Sequence, residues 1–263
     1  MIDLHIEDIE GAEGAKVAEV VLNNPKALNS LTEADLQELS DAYTEAADRG
    51  VRALVLRGEG RGFCAGRNIR GLDPRDDDAT DYLANKVTPV LQQMSTFPAP
   101  TFGAVHGVCL GVGLGLAIAC DIVYVAEDAT FGSPFANLGA TLDSGGHSLF
   151  VERLGAHRAM DLIVTGDMIT GAEAVTAGLF SRALPAEELV EFTRGKARKA
   201  AVGATRAFLT SRTLVQDIRD NRRGLWESVA DENIAQGELC SSDDYLEGFA
   251  AFNEKRKPVF TGN

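Results

Sequence analysis

In the first two-thirds of the chain, short apolar runs alternate with segments whose apolar residues recur at helical spacing. Val17–Leu22 and Ala53–Leu56 have the length and composition of buried strands. Between them, Thr32–Asp35 has the pattern of a helix-capping box, and apolar residues then recur three or four positions apart as far as Gly50. The order strand, helix, strand predicts a βαβ unit with a right-handed crossover in a largely parallel sheet.

The same pattern continues and then changes to one that is helical throughout. A helical stripe runs from Tyr82 to Met94, where Pro89 is expected to introduce a kink. A second strand–helix unit is predicted at Pro100–Cys120 and a further strand at Ile122–Ala126. From Glu152 onward the chain is predicted to be helical. The main helices expected there are Glu188–Ala201, Thr205–Gln216, Asn221–Ala235 and Asp243–Asn253.

Composition and charge narrow the class of protein. A chain of 263 residues that is 45% apolar suits one globular domain with a large core. The net charge of −14 argues against nucleic acid as a partner. No apolar run is long enough to span a membrane, and Met1–His5 has neither a basic segment nor an apolar signal core. A cytoplasmic protein without a membrane partner is therefore expected.

The cysteines, histidines and acidic runs do not indicate a metal site. The four cysteines lack metal-knuckle spacing and the four histidines are scattered. Cys64 is expected to be a small buried residue rather than a reactive thiol. Leu72–Thr80 is rich in Asp, Pro and Gly, but it lacks the glycine and the distal glutamate of a calcium loop. We expect this segment to be a solvated, mobile loop.

Two glycine-containing turns are the most informative chemical feature. Phe63–Ile69 follows the predicted strand Ala53–Leu56, and His106–Gly113 follows an apolar run that begins at Thr101. Two turns of this kind can direct two backbone N–H groups at one point. Such donors stabilise a developing oxyanion, and each is worth roughly 3–4 kcal/mol of activation barrier.

These turns belong to a longer series of motifs that resembles the enoyl-CoA hydratase/isomerase (crotonase) family. The resemblance covers nearly the whole chain in order and implies an α/β fold, a crotonase-like spiral of ββα repeats with a helical C-terminal region. It implies a spiral core at 1–200, a helical trimerisation region at 201–263, and a homotrimer or homohexamer. The motifs are Asn24–Leu31, Leu56–Gly66, His106–Gly113, Ala119–Asp121, Phe131–Gly139 and Asp244–Phe260.

The resemblance also implies a substrate and its binding residues. The substrate is an acyl-coenzyme A thioester; coenzyme A enters as part of it, and no metal or redox cofactor is implied. The oxyanion donors fall on the backbone N–H groups of Arg67 and Val112. Lys257 is placed near the coenzyme A phosphates, of its own or a neighbouring subunit. The residues implied to hold adenine and pantetheine are Lys26, Ala27, Leu28, Ala65, Asn68 and Ile69.

The chain departs from the family's hydratases at the two glutamates that hold and activate water. Gly115 and Phe135 occupy those positions, and neither can accept a proton. A third acidic position of the family is retained as Asp143 within Leu142–Gly146. By itself this local sequence favours a turn residue that satisfies its own backbone. Within the family motif, a lone aspartate resembles the Δ3,Δ2-enoyl-CoA isomerases and the ring-epoxide isomerase of the phenylacetate pathway.

An isomerase of unsaturated or ring-derived acyl-CoA is therefore the leading prediction, with Asp143 as the catalytic acid–base. An apolar wall that includes Phe135 would bind the acyl group, exclude water and raise the pKa of the carboxyl. Two alternatives stay open at this point. One is an enoyl-CoA hydratase that uses Asp143 and an ordered water, and the other is a non-catalytic acyl-CoA-binding protein.

Overall fold

A six-stranded sheet and a smaller three-stranded sheet organise the protein. The computed structural model describes residues 1–73 and 75–263. The described residues form the strands β1 (Ile2–Asp8), β2 (Lys16–Leu22), β3 (Ala53–Gly58), β4 (Thr101–Val105), β5 (Val108–Leu110), β6 (Ile122–Ala126), β7 (Thr130–Gly132), β8 (Met168–Thr170) and β9 (Arg182–Leu184). The large sheet has the order β1-β2-β3-β4-β6-β9, in which only β1 is antiparallel to its neighbour; the small sheet has the order β5-β7-β8.

Helices connect and follow these strands. Within the described residues none is both long and apolar enough to cross a bilayer. Short 3-10 turns occur at Pro25–Ala27 and Pro134–Leu138, and a π-helical segment at Tyr82–Val87. The α-helices are α1 (Glu33–Asp48), α2 (Ala79–Asp81), α3 (Thr88–Ser95), α4 (Val112–Ile118), α5 (Gly146–Leu154), α6 (Ala156–Thr165), α7 (Gly171–Thr176), α8 (Ala186–Ala201), α9 (Thr205–Asn221), α10 (Leu225–Leu239) and α11 (Asp243–Glu254).

The predicted βαβ unit is confirmed. β2 and β3 pair in parallel, and α1 connects them. The Thr32 hydroxyl accepts a hydrogen bond from the Asp35 N–H at 3.2 Å, and the Asp35 carboxylate accepts one from the Thr32 N–H at 2.8 Å. This reciprocal capping box satisfies two donors that would otherwise be unpaired at the helix start.

The prediction of an entirely helical chain after Glu152 is wrong in two places. β8 and β9 are three-residue strands that complete the two sheets. Such strands are too short to show a two-residue alternation, and their pairing partners are distant in sequence. The strands β1, β5 and β7 were not predicted either. The helix expected from Tyr82 to Met94 begins with the π-helical segment, which ends shortly before Pro89, a residue without an N–H to donate. At the end of this segment, the N–H and the hydroxyl of Thr88 both donate to the Leu83 carbonyl.

The carboxyl ends and the amino ends of the parallel strands in the large sheet hold different parts of the chain. The carboxyl end of β3 leads into the turn at Phe63–Ile69. Its amino end carries Arg52, whose guanidinium donates to the carbonyl oxygens of Gly203 at 2.6 Å and Phe260 at 3.0 Å. These bonds fix the C-terminal tail at the amino ends of the strands, on the side of the sheet away from the turn. Helix α8 packs across β2, β3, β4 and β6.

Candidate active site

The two predicted turns lie side by side. The Cys64 N–H donates to the Val108 carbonyl at 3.0 Å, and the Leu110 N–H donates to the Cys64 carbonyl at 3.1 Å. These bonds form an isolated parallel bridge between Cys64 and Cys109. The glycine turn of the second segment, at Gly111, follows β5 rather than β4. The short strand β5, which the sequence did not predict, therefore brings the two turns together.

Glycines allow the turns to approach this closely. Gly66 has φ +94°, and a Cβ atom on it would lie 2.9 Å from the Leu110 carbonyl oxygen and 3.5 Å from the Val112 nitrogen. A Cβ on Gly113 would collide with the Cys64 carbonyl. Only residues without a side chain permit this contact, which brings the backbone of Val112 beside the residue that precedes Arg67.

Within the described residues, the backbone N–H groups of Arg67 and Val112 have no hydrogen-bond acceptor. On either side of Arg67 the chain is held, because Leu31 donates to the Gly66 carbonyl at 2.8 Å and accepts from the Asn68 N–H at 2.8 Å. Val112 is the first residue of α4, where N–H groups have no partner inside the helix. Two adjacent, rigidly held donors are the arrangement that an oxyanion hole requires.

Asp143 has a buried carboxylate oxygen. Its Oδ1 atom is inaccessible to solvent and has no hydrogen-bond partner among the described residues, as is also true of the Ser144 hydroxyl. Burial raises the pKa of Asp143 above its ordinary value; the nearby Ser144 hydroxyl and the charges of Arg67 and His147 oppose that rise only in part. A desolvated carboxylate without a partner is a base available to another molecule.

The structure explains why no side chain occupies position 115. A Cβ atom on Gly115 would lie 2.6 Å from the Ser144 Cβ and 3.0 Å from its carbonyl oxygen. The turn that carries Asp143 therefore packs directly on α4. The Phe135 ring covers the second turn, because its Cζ atom lies 3.2 Å from the position of a Cβ on Gly111. The two positions that lack glutamates thus border the donors and the carboxylate.

The Arg67 side chain has a structural role that was not predicted from the sequence: it connects the first turn to Asp77 and Tyr82. Its guanidinium donates two hydrogen bonds to the Asp77 carboxylate, at 2.8 and 2.6 Å. It also lies 3.8 Å above the centre of the Tyr82 ring. The Leu72–Thr80 segment was expected to be solvated and mobile, and Pro74 lies outside the described residues. The described residues from Leu72 to Asp78 form a half-buried to exposed loop, as expected of a solvated segment, but the Asp77 carboxylate is paired with Arg67 rather than left to solvent.

Most residues expected to hold coenzyme A lie together. The Leu28 carbonyl accepts a hydrogen bond from the Ala65 N–H at 2.9 Å, which joins the turn at 26–28 to the first oxyanion turn. Lys26 and Ile69 are exposed, whereas Ala27, Leu28, Ala65 and Asn68 are half-buried. These residues form one partly exposed strip beside the donors. Lys257 does not lie beside this strip in the same chain. The bond from Arg52 to the Phe260 carbonyl anchors the C-terminal tail at the amino ends of the strands, away from the strip.

Cys64 is a packed residue, as predicted. Its side chain is fully buried, its thiol lies 3.1 Å from the Asn29 carbonyl oxygen, and burial raises its pKa to about 12. Such a thiol is not a nucleophile at neutral pH. Across the described residues, no three His, Cys, Asp or Glu side chains lie close enough together to hold a metal ion.

Comparison with known proteins gives a consistent result. The sequence profile described as enoyl-CoA hydratase/isomerase matches residues 12–263. A protein named probable enoyl-CoA hydratase from Bacillus subtilis (strain 168) is 36% identical over 249 residues, covering 94% of this chain and 95% of its own. One of the same name from Rhizobium meliloti (strain 1021) is 36% identical over 250 residues, covering 93% of this chain and 94% of its own.

The fold agrees with the sequence match. The crystal structure of an enoyl-CoA hydratase from Bacillus anthracis superposes with a TM-score of 0.86 at 27% identity, covering 100% of this chain and 99% of its own. The predicted α/β crotonase-like fold with a helical C-terminal region is thereby confirmed. The chain belongs to the enoyl-CoA hydratase/isomerase family.

Proposed function

We propose that the protein is an acyl-CoA isomerase that moves a double bond, or rearranges a ring-derived acyl group, by proton transfer through one carboxylate. The observation that carries this proposal is the unpartnered, desolvated Asp143 oxygen. It belongs to the same site as two free backbone donors, in a chain with Gly115 and Phe135 at the positions of the water-holding glutamates. The substrate class, an acyl-CoA thioester, follows from family membership.

The reaction follows from these groups. The thioester oxygen of a 3-enoyl-CoA accepts hydrogen bonds from the N–H groups of Arg67 and Val112. This polarisation makes the C2 proton acidic, and the Asp143 carboxylate removes it. The resulting dienolate carries charge at both C2 and C4. Asp143 returns the proton to C4, the double bond moves from C3=C4 to C2=C3, and the carboxylate is regenerated. Because no electrons are gained or lost, the reaction needs no redox cofactor, and the two backbone donors stabilise the enolate oxygen.

The electrostatics of the site suit this cycle. A carboxyl group with an ordinary pKa is a weak base toward carbon acids at neutral pH. Burial raises the pKa of Asp143, which brings its basicity closer to the working pH. Apolar contact from Phe135 keeps the second turn dry, and a dry site strengthens each hydrogen bond to the developing oxyanion.

A hydratase that uses Asp143 as its only carboxylate is the second candidate. The relatives at 36% identity that carry the name probable enoyl-CoA hydratase favour it. In that reaction Asp143 would remove a proton from water as the hydroxide adds to C3 of a 2-enoyl-CoA, and it would then deliver that proton to C2 of the enolate. The contact between position 115 and Ser144 leaves no room for a side chain at 115, so in this candidate Asp143 alone would have to hold and activate the water.

The two candidates are separated by comparing two initial rates with the same enzyme. With 3-hexenoyl-CoA we expect conjugated 2-hexenoyl-CoA to form without accumulation of a 3-hydroxyacyl-CoA. With crotonyl-CoA, water addition should be slower than this migration. Faster hydration would replace the isomerase proposal with the hydratase. Rates at background for both substrates and for ring-derived acyl-CoA, with coenzyme A thioesters still bound, would favour a non-catalytic binding protein.

Assembly as a homotrimer or homohexamer is part of the same proposal. It is supported by large apolar side chains that the C-terminal helices leave exposed, such as Trp226 on α10 at 80% and Phe252 on α11 at 81%. Apolar surface of this kind is typical of an interface between subunits. Light scattering on the purified protein measures the number of subunits, and a monomer at micromolar concentration would contradict this part.

A further inference from the structure

Three buried side-chain oxygens of the site have no hydrogen-bond partner among the described residues. They are Asp143 Oδ1, the Ser144 hydroxyl and the Tyr82 hydroxyl. Tyr82 is only 3% exposed. Buried polar atoms in folded proteins are nearly always hydrogen-bonded, so unpaired oxygens in a candidate active site indicate groups that a ligand satisfies. The proton transfer proposed above uses Asp143 and leaves the two hydroxyls without a role.

Tyr82 is held against the oxyanion turn. The guanidinium of Arg67 stacks 3.8 Å above the centre of its ring, and the backbone N–H of the same Arg67 is one of the two free donors. Tyr82 begins the π-helical segment, and segments of this type are frequent at functional sites. Ser144 follows Asp143 directly and packs on α4 at Gly115. The two hydroxyls therefore border the carboxylate from two different elements.

The Tyr82 hydroxyl is available as a donor at neutral pH, and the Ser144 hydroxyl divides its donor capacity between a ligand and the adjacent Asp143 carboxylate, whose pKa it lowers. Burial raises the pKa of Tyr82 to about 12; the charge of Arg67 opposes this rise, and the charge of Asp143 adds to it. The phenol therefore stays protonated. The serine hydroxyl is likewise neutral. A pair of neutral donors beside a carboxylate favours an acceptor oxygen over a second anion.

We propose that Tyr82 and Ser144 determine acyl specificity by binding an acceptor oxygen, such as a carbonyl or ether oxygen, on the acyl chain beyond C3. This inference rests on the proposed acyl-CoA function. A plain alkyl chain would leave both hydroxyls buried and unpaired. Sites built to hydrogen-bond a substrate oxygen discriminate strongly against analogues that lack it. The preferred substrates are therefore oxygen-bearing acyl-CoA thioesters rather than simple fatty acyl-CoA.

The test measures binding with saturated thioesters, which undergo neither isomerisation nor hydration. The Kd values of hexanoyl-CoA, 4-oxohexanoyl-CoA and 5-oxohexanoyl-CoA are determined by calorimetry for the wild type, Tyr82→Phe and Ser144→Ala. The matched control is Tyr43→Phe. The Tyr43 hydroxyl is also buried and unpartnered, but its ring packs in the core, edge-on to Phe97 at 5.4 Å. Its removal should leave the binding ratio unchanged.

The wild type is expected to bind at least one oxo compound about tenfold more tightly than hexanoyl-CoA, the scale of one or two buried hydrogen bonds. Tyr82→Phe should remove most of this preference while hexanoyl-CoA binding stays the same or improves. A wild type without preference, or a preference unchanged in both Tyr82→Phe and Ser144→Ala, would overturn the proposal. Because no turnover is involved, this outcome is independent of whether the enzyme isomerises or hydrates.

Discussion

The carboxyl groups of Asp121 and Asp143 are both partly removed from solvent, and their surroundings are opposite. Asp121 precedes β6 at the amino ends of the strands, where its carboxylate accepts hydrogen bonds from the Thr101 N–H at 2.9 Å and hydroxyl at 3.0 Å. The Arg212 guanidinium lies 3.5 Å away. Asp143 lies beside the oxyanion turns with one buried oxygen that has no partner among the described residues. Burial raises the pKa of both carboxyls.

The contrast separates a carboxylate with structural partners from the one to which we assign the proton transfer. At the amino-end edge of the sheet, polar groups are paired with each other: Asp121 with Thr101, and Arg52 with backbone carbonyls of the chain's C-terminal part. At the carboxyl-end edge, Asp143 and two backbone donors are left unpaired within the described part of the chain. Unpaired groups cost stability, and active sites commonly bear this cost because the groups must remain free for substrate. The following variants test that division.

The largest effect is expected from Val112→Pro. Proline removes the donor N–H but is well tolerated at the first position of a helix, which Val112 occupies in α4. Loss of one oxyanion donor typically lowers kcat by about 10²–10³-fold. Val112→Ala keeps the N–H and should retain near-normal kcat. Equal activity in the two variants would show that this backbone donor does not act on the substrate.

Asp143→Asn is expected to lower kcat by at least about two orders of magnitude, the usual contribution of a general acid–base. The amide has nearly the same shape but cannot carry the proton from C2 to C4. Coenzyme A binding and the circular dichroism spectrum should be unchanged. Turnover close to that of the wild type would remove Asp143 from the catalytic role.

Asp121→Ala is expected to show the opposite behaviour. It leaves the Thr101 N–H without its acceptor and removes the longer contact of the Arg212 guanidinium, which keeps its 2.7 Å bond to the Phe97 carbonyl. The expected loss in the free energy of unfolding is about 1–3 kcal/mol. Below the unfolding temperature, kcat should remain within a factor of about two, since the hydrogen-bond partners of this carboxylate, Thr101 and Arg212, lie outside the turns. Urea unfolding and steady-state kinetics measure the two quantities. A kcat loss as large as that of Asp143→Asn would contradict the division.

A smaller effect is expected in the pH dependence of stability. The folded protein raises the pKa of Asp143, so it retains this proton to a higher pH than the unfolded chain does. Stability therefore falls as the pH rises from the ordinary carboxyl value through the raised one, and it stays lower above it. Asp143→Asn should raise Tm at pH 7 by about 2–4 °C, the scale of about 1 kcal/mol. The gain should shrink at acid pH, and a gain independent of pH would show that ionisation of Asp143 is not its cause.

The sequence predicted the elements whose signals are local. The capping box at Thr32, the buried strands β2, β3 and β6 and most C-terminal helices follow from short patterns. The short strand β5 did not, because its partner β7 lies about twenty residues further along and three residues carry no periodicity. The family motifs identified Asp143 and the two donors as candidates.

The supporting contacts of the site could not be predicted. The ion pair of Arg67 with Asp77 joins residues on two separate loops, and nothing in the acidic run distinguishes Asp77 from its neighbours. Tyr82 was predicted only as part of a helical stripe, and its unpaired hydroxyl is visible only in three dimensions. Tertiary contacts of this kind depend on the whole fold rather than on any local pattern.

In the proposed reaction one carboxylate carries a proton from C2 to C4 without adding water. The most direct test uses 3-hexenoyl-CoA labelled with two deuterium atoms at C2, in ordinary water, with mass spectrometry and NMR of the product. We predict 2-hexenoyl-CoA in which a measurable fraction carries deuterium at C4, because the buried Asp143 retains the abstracted label between the two steps. A product with no deuterium at C4, or accumulation of 3-hydroxyhexanoyl-CoA in its place, would contradict the account.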